Sequence, residues 1–222
     1  MILIENIKKE YILDKQVVFS ALKGVSFKID EKEFTSIIGP SGSGKSTLMH
    51  IIGLLDKPTS GKIVYDGIDV LSLDDNKTST FRSEFVGFVF QQFNLINKLT
   101  ILENVILPTF YARKKITYNV KERALYLLER FGIFDKANSY PNRISGGQQQ
   151  RASIARSLIM NPRLILADEP TGNLDTKTGN EIMNLLKELN KDEGITVIIV
   201  THEPDIASQT NRTISVRDGK IV

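Results

Sequence analysis

The stretch SIIGPSGSGKST, Ser36 to Thr47, limits what this chain can fold into more sharply than any other part of it. A β-branched run leads into glycines at Gly39, Gly42 and Gly44, and the pattern then turns helical through KSTLMHIIGLL. Glycine carries no Cβ, so the backbone N–H groups of such a loop can curl round a phosphate. A helix starting near Lys45 points the positive end of its dipole at the same spot. The spacing G-x-x-x-x-G-K-S, with a strand in front and a helix behind, separates this arrangement from an ordinary glycine turn. Gly39, Pro40, Ser41, Gly42, Ser43, Gly44, Lys45, Ser46 and Thr47 are therefore the candidate ATP-binding loop. Lys45 is placed to reach the β- and γ-phosphates, and Ser46 to offer its hydroxyl to Mg²⁺.

A second feature supplies carboxylates. In LILADE, Leu164 to Glu169, four apolar residues make a buried strand whose end delivers Asp168 towards a metal shell. Two adjacent carboxylates aimed at one point would repel, so a division into a metal-facing Asp168 and a water-facing Glu169 is expected, with Glu169 the candidate general base. Standing alone, such a pair reads better as a cap on the turn before Pro170; the upstream loop reverses that preference.

The surrounding pattern is α/β. ILIENIKKEY, GVSFKID, FTSII and GKIVYDG read as strands spaced closely enough to pair antiparallel. From about Leu102 to Met160 the chain is mostly helical, with NVKERALYLLERFGI apolar at three- and four-residue intervals, which marks an inserted helical subdomain. RLILADEP and ITVIIVTHEP are nearly all-apolar strands flanking the helix KTGNEIMNLLKELNK, the signature of a parallel sheet buried on both faces. The 29 basic residues nearly balance the 26 acidic ones and form no long block, so nucleic acid is not an expected partner. Without cysteine there is no disulfide or thiolate chemistry. Glu5 and Lys8 interrupt any leader-like apolar run, and IIGLL and ITVIIV fall far short of the ~20 residues that cross a bilayer, so the expected place is the cytoplasm.

RISGGQQQR, Arg143 to Arg151, is a second glycine turn built to approach an anion, in a chain that already has one. GPSGSGKST, ISGGQQQR, LILADEP, GNLD and the strand-end VTHE stand in the order and rough spacing of an ABC-transporter ATPase subunit, and the resemblance covers essentially the whole chain. Ile144 stands where leucine is usual. GFVFQQFNL and ADEPTGNLD most resemble the branch serving lipoprotein release, macrolide and peptide export and division-site complexes.

The resemblance implies a P-loop NTPase core with a mainly parallel sheet, an N-terminal antiparallel β subdomain and an inserted helical subdomain. Residues 1–222 would form one ABC-type ATPase domain, with 1–94 and 161–222 as core and 95–160 as the helical signature subdomain. It places Gln91 in a loop touching Mg²⁺ and the attacking water, His202 at the γ-phosphate, and Tyr11 on the adenine. Ser145, Gly146, Gly147 and Gln148 would bind the ATP of a second subunit docked head to tail, and Asp175 would link the two sites across the homodimer. It further implies ATP hydrolysis that drives a separate integral membrane subunit from the cytoplasmic face of the cell membrane, with Phe93, Leu95 and Ile96 offered to a helix of that subunit. A soluble ABC-type ATPase of DNA repair, chromosome structure or translation would share the nucleotide motifs, but such chains carry paired cassettes or a long coiled-coil insertion. A small-molecule kinase would lack the signature turn. The chain ends at RDGKIV, a few residues sooner than the resemblance leads one to expect, which fits either a shortened chain or a former join to a membrane domain.

Overall fold

The structure, a computed structural model, describes residues 2–13 and 16–222. In chain order the elements are β1 (Ile2–Leu13), β2 (Gln16–Ile29), β3 (Phe34–Ile38), α1 (Lys45–Ile52), β4 (Ser60–Tyr65), β5 (Ile68–Asp69), α2 (Asp75–Phe85) and β6 (Val86–Phe90). The helices α3 (Ile101–Ile106), α4 (Val120–Arg130) and α5 (Gly146–Leu158) follow. The chain then alternates through β7 (Leu164–Asp168), α6 (Thr176–Glu193), β8 (Thr196–Thr201), α7 (Pro204–Ala207), β9 (Arg212–Arg217) and β10 (Lys220–Ile221).

Among the described residues these strands make two sheets, an antiparallel one in the order β2-β1-β4-β5 and a mainly parallel one in the order β10-β9-β3-β8-β7-β6. Burial on both faces dictates the second. On β7, Leu164 and Leu166 join one apolar cluster while Ile165 and Ala167 join the other; on β8, Ile198 and Val200 oppose Val197 and Ile199 in the same way. One cluster is completed by α3, α4, α5 and α6, the other by α1 and the antiparallel sheet. A strand apolar on both sides must be covered on both sides, and crossover helices supply that cover. No helix of the described residues is long and apolar enough to cross a membrane.

FTSII corrects the grouping made from spacing. It does not pair with its antiparallel neighbours in sequence but lies inside the parallel sheet, between β8 and β9. Its first four residues are all buried, which is the pattern of a central strand and not of a half-exposed one. The strands β6, β9 and β10 and the helix α2 were not expected; α2 is amphiphilic at best, with no fully buried residue.

The two sheets are joined where it matters for the glycine loop. The Tyr65 hydroxyl, fully buried on β4, donates to the Ile52 carbonyl at the end of α1, and its ring packs edge-on against Phe81 and Phe85. Tyr65→Phe should leave that carbonyl without a partner and lower stability by about 1–3 kcal/mol, read as a lower urea midpoint at an unchanged slope. An unchanged midpoint would show that the carbonyl finds water instead.

Candidate nucleotide site

Parallel strands carry their carboxyl ends to one edge, and that edge gathers the chemistry. β3 ends at Ile38 before Gly39, β6 at Phe90 before Gln91, β7 at Asp168 before Glu169, and β8 at Thr201 before His202. The register aligns these ends, with Ile38 opposite Thr201, Phe90 opposite Asp168, and Asp168 opposite Val200. A cleft of about 530 Å³ opens there, lined by Phe19, Pro40, Ser41, Gly42, Gly44, Lys45, Ser46, Thr47, Glu169 and His202.

The loop is shaped by backbone crowding. A Cβ at Gly39 would collide with the Val216 carbonyl oxygen, and one at Gly44 would come 2.5 Å from that of Ala21. Gly44 also sits at φ 103°, where a side chain is strained, and its carbonyl accepts the Leu48 N–H at 2.9 Å in the first turn of α1. Ser43 is buried in the loop and its hydroxyl has no hydrogen-bond partner among the described residues. Lys45 turns back on the loop, its ammonium donating to the Gly39 carbonyl at 2.7 Å and the Pro40 carbonyl at 2.8 Å. Burial lowers the pKa of Lys45, opposed by the Glu169 and Asp168 carboxylates.

The two carboxylates leave the strand end differently. Asp168 remains on the strand, while Glu169 leaves it in a left-handed turn at φ 43°, held by its N–H on the Val200 carbonyl at 2.8 Å. Glu169 Oε1 lies 2.6 Å from His202 Nδ1. Asp168 is held above the ordinary carboxylate range, first by burial and then by the Glu169 charge, with His50 and Lys45 compensating only in part. A fixed negative charge short of positive partners is the situation that a bound cation relieves.

Of the other candidate residues, Gly39, Ser43 and Asp168 stand at the strand ends and in the loop behind the lining, and Tyr11, Gln91, Ser145, Gly146, Gly147, Gln148 and Asp175 do not line the cleft. Gln91 is tied to the turn after the carboxylates, its carbonyl accepting from Asn173 Nδ2 at 2.9 Å. Tyr11 faces Phe19 across the strand pair, with ring centroids 6.4 Å apart, and it is Phe19 that reaches the cleft. Ser145 and Gln148 close a capping box at the start of α5, so the Gly146–Gly147 turn is a rigid helix N-terminus; it contributes nothing to the cleft of its own chain. Asp175 caps α6, its two carboxylate oxygens accepting from the Thr178 N–H at 3.0 Å and hydroxyl at 2.6 Å. Phe19 escaped the sequence reading because one ring in the apolar run VVFSAL does not announce a ligand, and Asn173 was quoted within GNLD without a role of its own.

Residues 22–172 match the family model described as ABC transporter. This chain belongs to the ABC transporter family. The cassette is an ATPase, and ATP is its nucleotide. It is 49% identical over its whole length to 95% of MJ0796, an uncharacterized ABC transporter ATP-binding protein of Methanocaldococcus jannaschii. It is 44% identical to the lipoprotein-releasing system ATP-binding protein LolD of Syntrophus aciditrophicus, covering 99% of that protein. It is 49% identical to the macrolide export ATP-binding/permease protein MacB of Bdellovibrio bacteriovorus, of which it spans 33%. The dimeric post-hydrolysis structure of MJ0796 bound to ADP and Pi matches all of this chain and 96% of that one, with a TM-score of 0.90 at 47% identity.

The raised pKa of Asp168 has a consequence for the cassette without nucleotide. Its folded value lies above its unfolded one, so the folded state favours the proton and stability falls as pH rises through the folded value. Below about pH 4 both states are protonated and the cost vanishes. Asp168→Asn should therefore melt higher than the parent cassette at neutral pH, with the gap closing towards about pH 4 in thermal melts. A gap independent of pH would contradict this origin.

Proposed function

We propose that this cassette is the ATP-hydrolysing subunit of a transporter whose membrane-crossing part is a separate chain, and that it works as a head-to-tail homodimer closing on two ATP molecules. The observation that carries the reading is the separation of the two glycine turns. The phosphate loop lines the cleft with Pro40, Ser41, Gly42, Gly44, Lys45 and Ser46, whereas Ser145–Gln148 caps a different helix and lines no part of it. A second copy offering Ser145, Gly146, Gly147 and Gln148 to the γ-phosphate would give that turn a role.

In this reading the loop N–H groups and Lys45 hold the β- and γ-phosphates, and binding draws the ammonium from the Gly39 and Pro40 carbonyls to phosphate oxygens. Ser46, Asp168 and Gln91 are the oxygens that would hold Mg²⁺, which when bound neutralises charge on those phosphates. Glu169 takes the proton of the attacking water. His202 shares its Nδ1 with Glu169; turning the ring to the γ-phosphate frees the carboxylate for that water. The Tyr11–Phe19 pair stands at the adenine end, and Asp175 connects the two sites of the dimer. Residues 1–94 and 161–222 act as the nucleotide-binding core, and 95–160 as the part that carries the signature turn.

The membrane subunit, with the dimer on the cytoplasmic face of the membrane, would dock a helix in the apolar groove of about 410 Å³ lined by Leu55, Val86, Phe88, Phe90, Pro108, Tyr111 and Met160. This differs from the surface read off the sequence. Leu95 packs on the core, Phe93 lies by Gly146, and Ile96 is exposed, but none of the three lines the groove. The names LolD and MacB among the relatives support export or extraction of a lipoprotein, peptide or drug-like substrate.

Glu169→Gln should keep ATP binding, slow hydrolysis by roughly 10²- to 10⁴-fold, and accumulate as a dimer when ATP is added, as read by gel filtration. A monomer at saturating ATP, or an unchanged rate, would count against the assigned role. The shared site is tested by mixing two inactive variants. Gly147 is a poor position for this, because a Cβ there comes 2.5 Å from the Thr178 methyl of its own chain, whereas at Gly146 the nearest atom is at an ordinary 3.4 Å. Gly146→Asp, which sets a carboxylate against the partner's γ-phosphate, and Lys45→Ala, which cannot hold ATP, should each be inactive alone and regain ATPase activity when mixed. Normal hydrolysis by Gly146→Asp would end the case for a site shared between chains.

A further inference from the structure

The segment that follows β6 has no regular structure, yet it is among the most constrained in the molecule. Phe93 and Asn94 both have positive φ, 59° and 51°, two consecutive residues with side chains in a region that favours glycine. Such a conformation persists only where its surroundings impose it. What imposes it comes from α5. Arg156, two turns and more along the helix that starts with the signature glycines, donates Nη1 to the Asn94 carbonyl and Nη2 to the Phe93 carbonyl at 2.8 Å. Nη2 also reaches Ser153 Oγ at 3.4 Å. No carboxylate pairs with Arg156 among the described residues, so its charge is spent on these backbone oxygens. Burial draws the guanidinium down to about 10, still far enough above neutrality to keep it charged.

The neighbouring anchors divide the segment between them. Asn173 holds the Gln91 carbonyl, and Asn104, fully buried, accepts the Ile96 N–H and donates to the carbonyls of Ile96, Leu99 and Thr100. Between those two amides the N–H groups of Phe93 and Asn94 turn back on the Phe90 and Gln92 carbonyls at 3.1 and 2.5 Å, and among the described residues Arg156 is the side chain that grips the carbonyls of the strained pair. A planar fork suits two adjacent carbonyls; an ammonium, a single point charge, does not.

We infer that Arg156 is a positioning residue for hydrolysis: by clamping the Phe93 and Asn94 carbonyls it fixes Gln91 at the edge of the cleft and ties that loop to the signature helix. The inference rests on the ATPase reading for its catalytic part and on geometry alone for the clamp. The signature turn and the loop are thereby attached to one rigid body, since Arg156 and Gly146 belong to the same helix and the Phe93 ring lies 3.6 Å from where a Gly146 Cβ would be. Arg156 and Asn94 also line the apolar groove beside Tyr111 and Met160, so whatever fills that groove rests on the clamp itself.

The test compares the parent cassette with Arg156→Met, which keeps the stem and removes the fork, and Arg156→Lys, which keeps the charge. In hydrogen exchange on the nucleotide-free cassette, amides 92–95 should exchange at least about ten-fold faster in Arg156→Met, while those of β7 and β8 hold their parental rates. In steady-state assays kcat should fall about ten-fold or more with the ATP Kd within about two-fold, since the loop acts on the reaction and not on the phosphate loop. Arg156→Lys should lie between the two in both measurements. A merely structural arginine would instead give exchange raised throughout the sheet, or a loss of ATP affinity in step with kcat; either result overturns the inference, as do unchanged loop exchange or unchanged kcat. If Arg156→Met does not fold, Arg156→Lys alone decides, by the same two criteria. Should the parent cassette show no ATPase activity, the proposed function fails while the exchange experiment still judges the clamp.

Discussion

Everything at the site depends on strands that are buried on both faces. A strand apolar on one side could turn its other side to water and pair antiparallel with its neighbour, as β1 does with β2. β7 and β8 have no polar side to expose, so each connection must run back over the sheet as a helix, and each strand must point the same way. Parallel direction then places Gly39, Gln91, Glu169 and His202, scattered over most of the sequence, at one edge of the sheet. The chemistry is therefore a product of hydrophobic burial, with the polar residues riding at the ends of apolar strands.

The sequence made the phosphate loop, the two carboxylates and the signature turn legible because each is a local pattern with a local mechanism. The helix α6 and the strands β7 and β8 were equally plain, since their apolar periodicity agrees with their burial. What stayed hidden depends on contacts between distant segments. FTSII looks the same whether it pairs with a neighbouring hairpin or with β8, and only the closing of the sheet decides. α2 buries no residue completely, so it has no stripe to detect. Phe19 becomes part of the cleft through the register of β1 with β2, which no spacing announces. Arg156 was one more charge on a helix until its carbonyl partners, more than sixty positions earlier, came into view.

The cleft as it stands is held together by its own parts. Lys45 occupies the loop's carbonyls, and Glu169 occupies His202. Each of these contacts satisfies a charge that would otherwise be stranded in a partly buried place, and under the proposed function each uses an atom that the nucleotide would need. In the proposed function, binding is thus an exchange of partners. The favourable energy of phosphate contacts is reduced by what is given up, but the loop is kept in shape while it waits.

The central place of β3 bears on how the protein is made. The strand that carries the phosphate loop pairs on one side with β8 and on the other with β9, Phe34 opposite Val197 and Thr35 opposite Arg212. A ribosome delivers β3 well before either of its neighbours. Until residues 196–217 have emerged, β3 has two open edges and the loop has no fixed floor, since the Val216 carbonyl that crowds Gly39 does not yet exist. A nascent chain therefore cannot acquire nucleotide affinity by degrees as its motifs appear. It gains the floor of the loop only once residues 196–217 have emerged, and before then carries an apolar strand that must be kept from pairing with other chains.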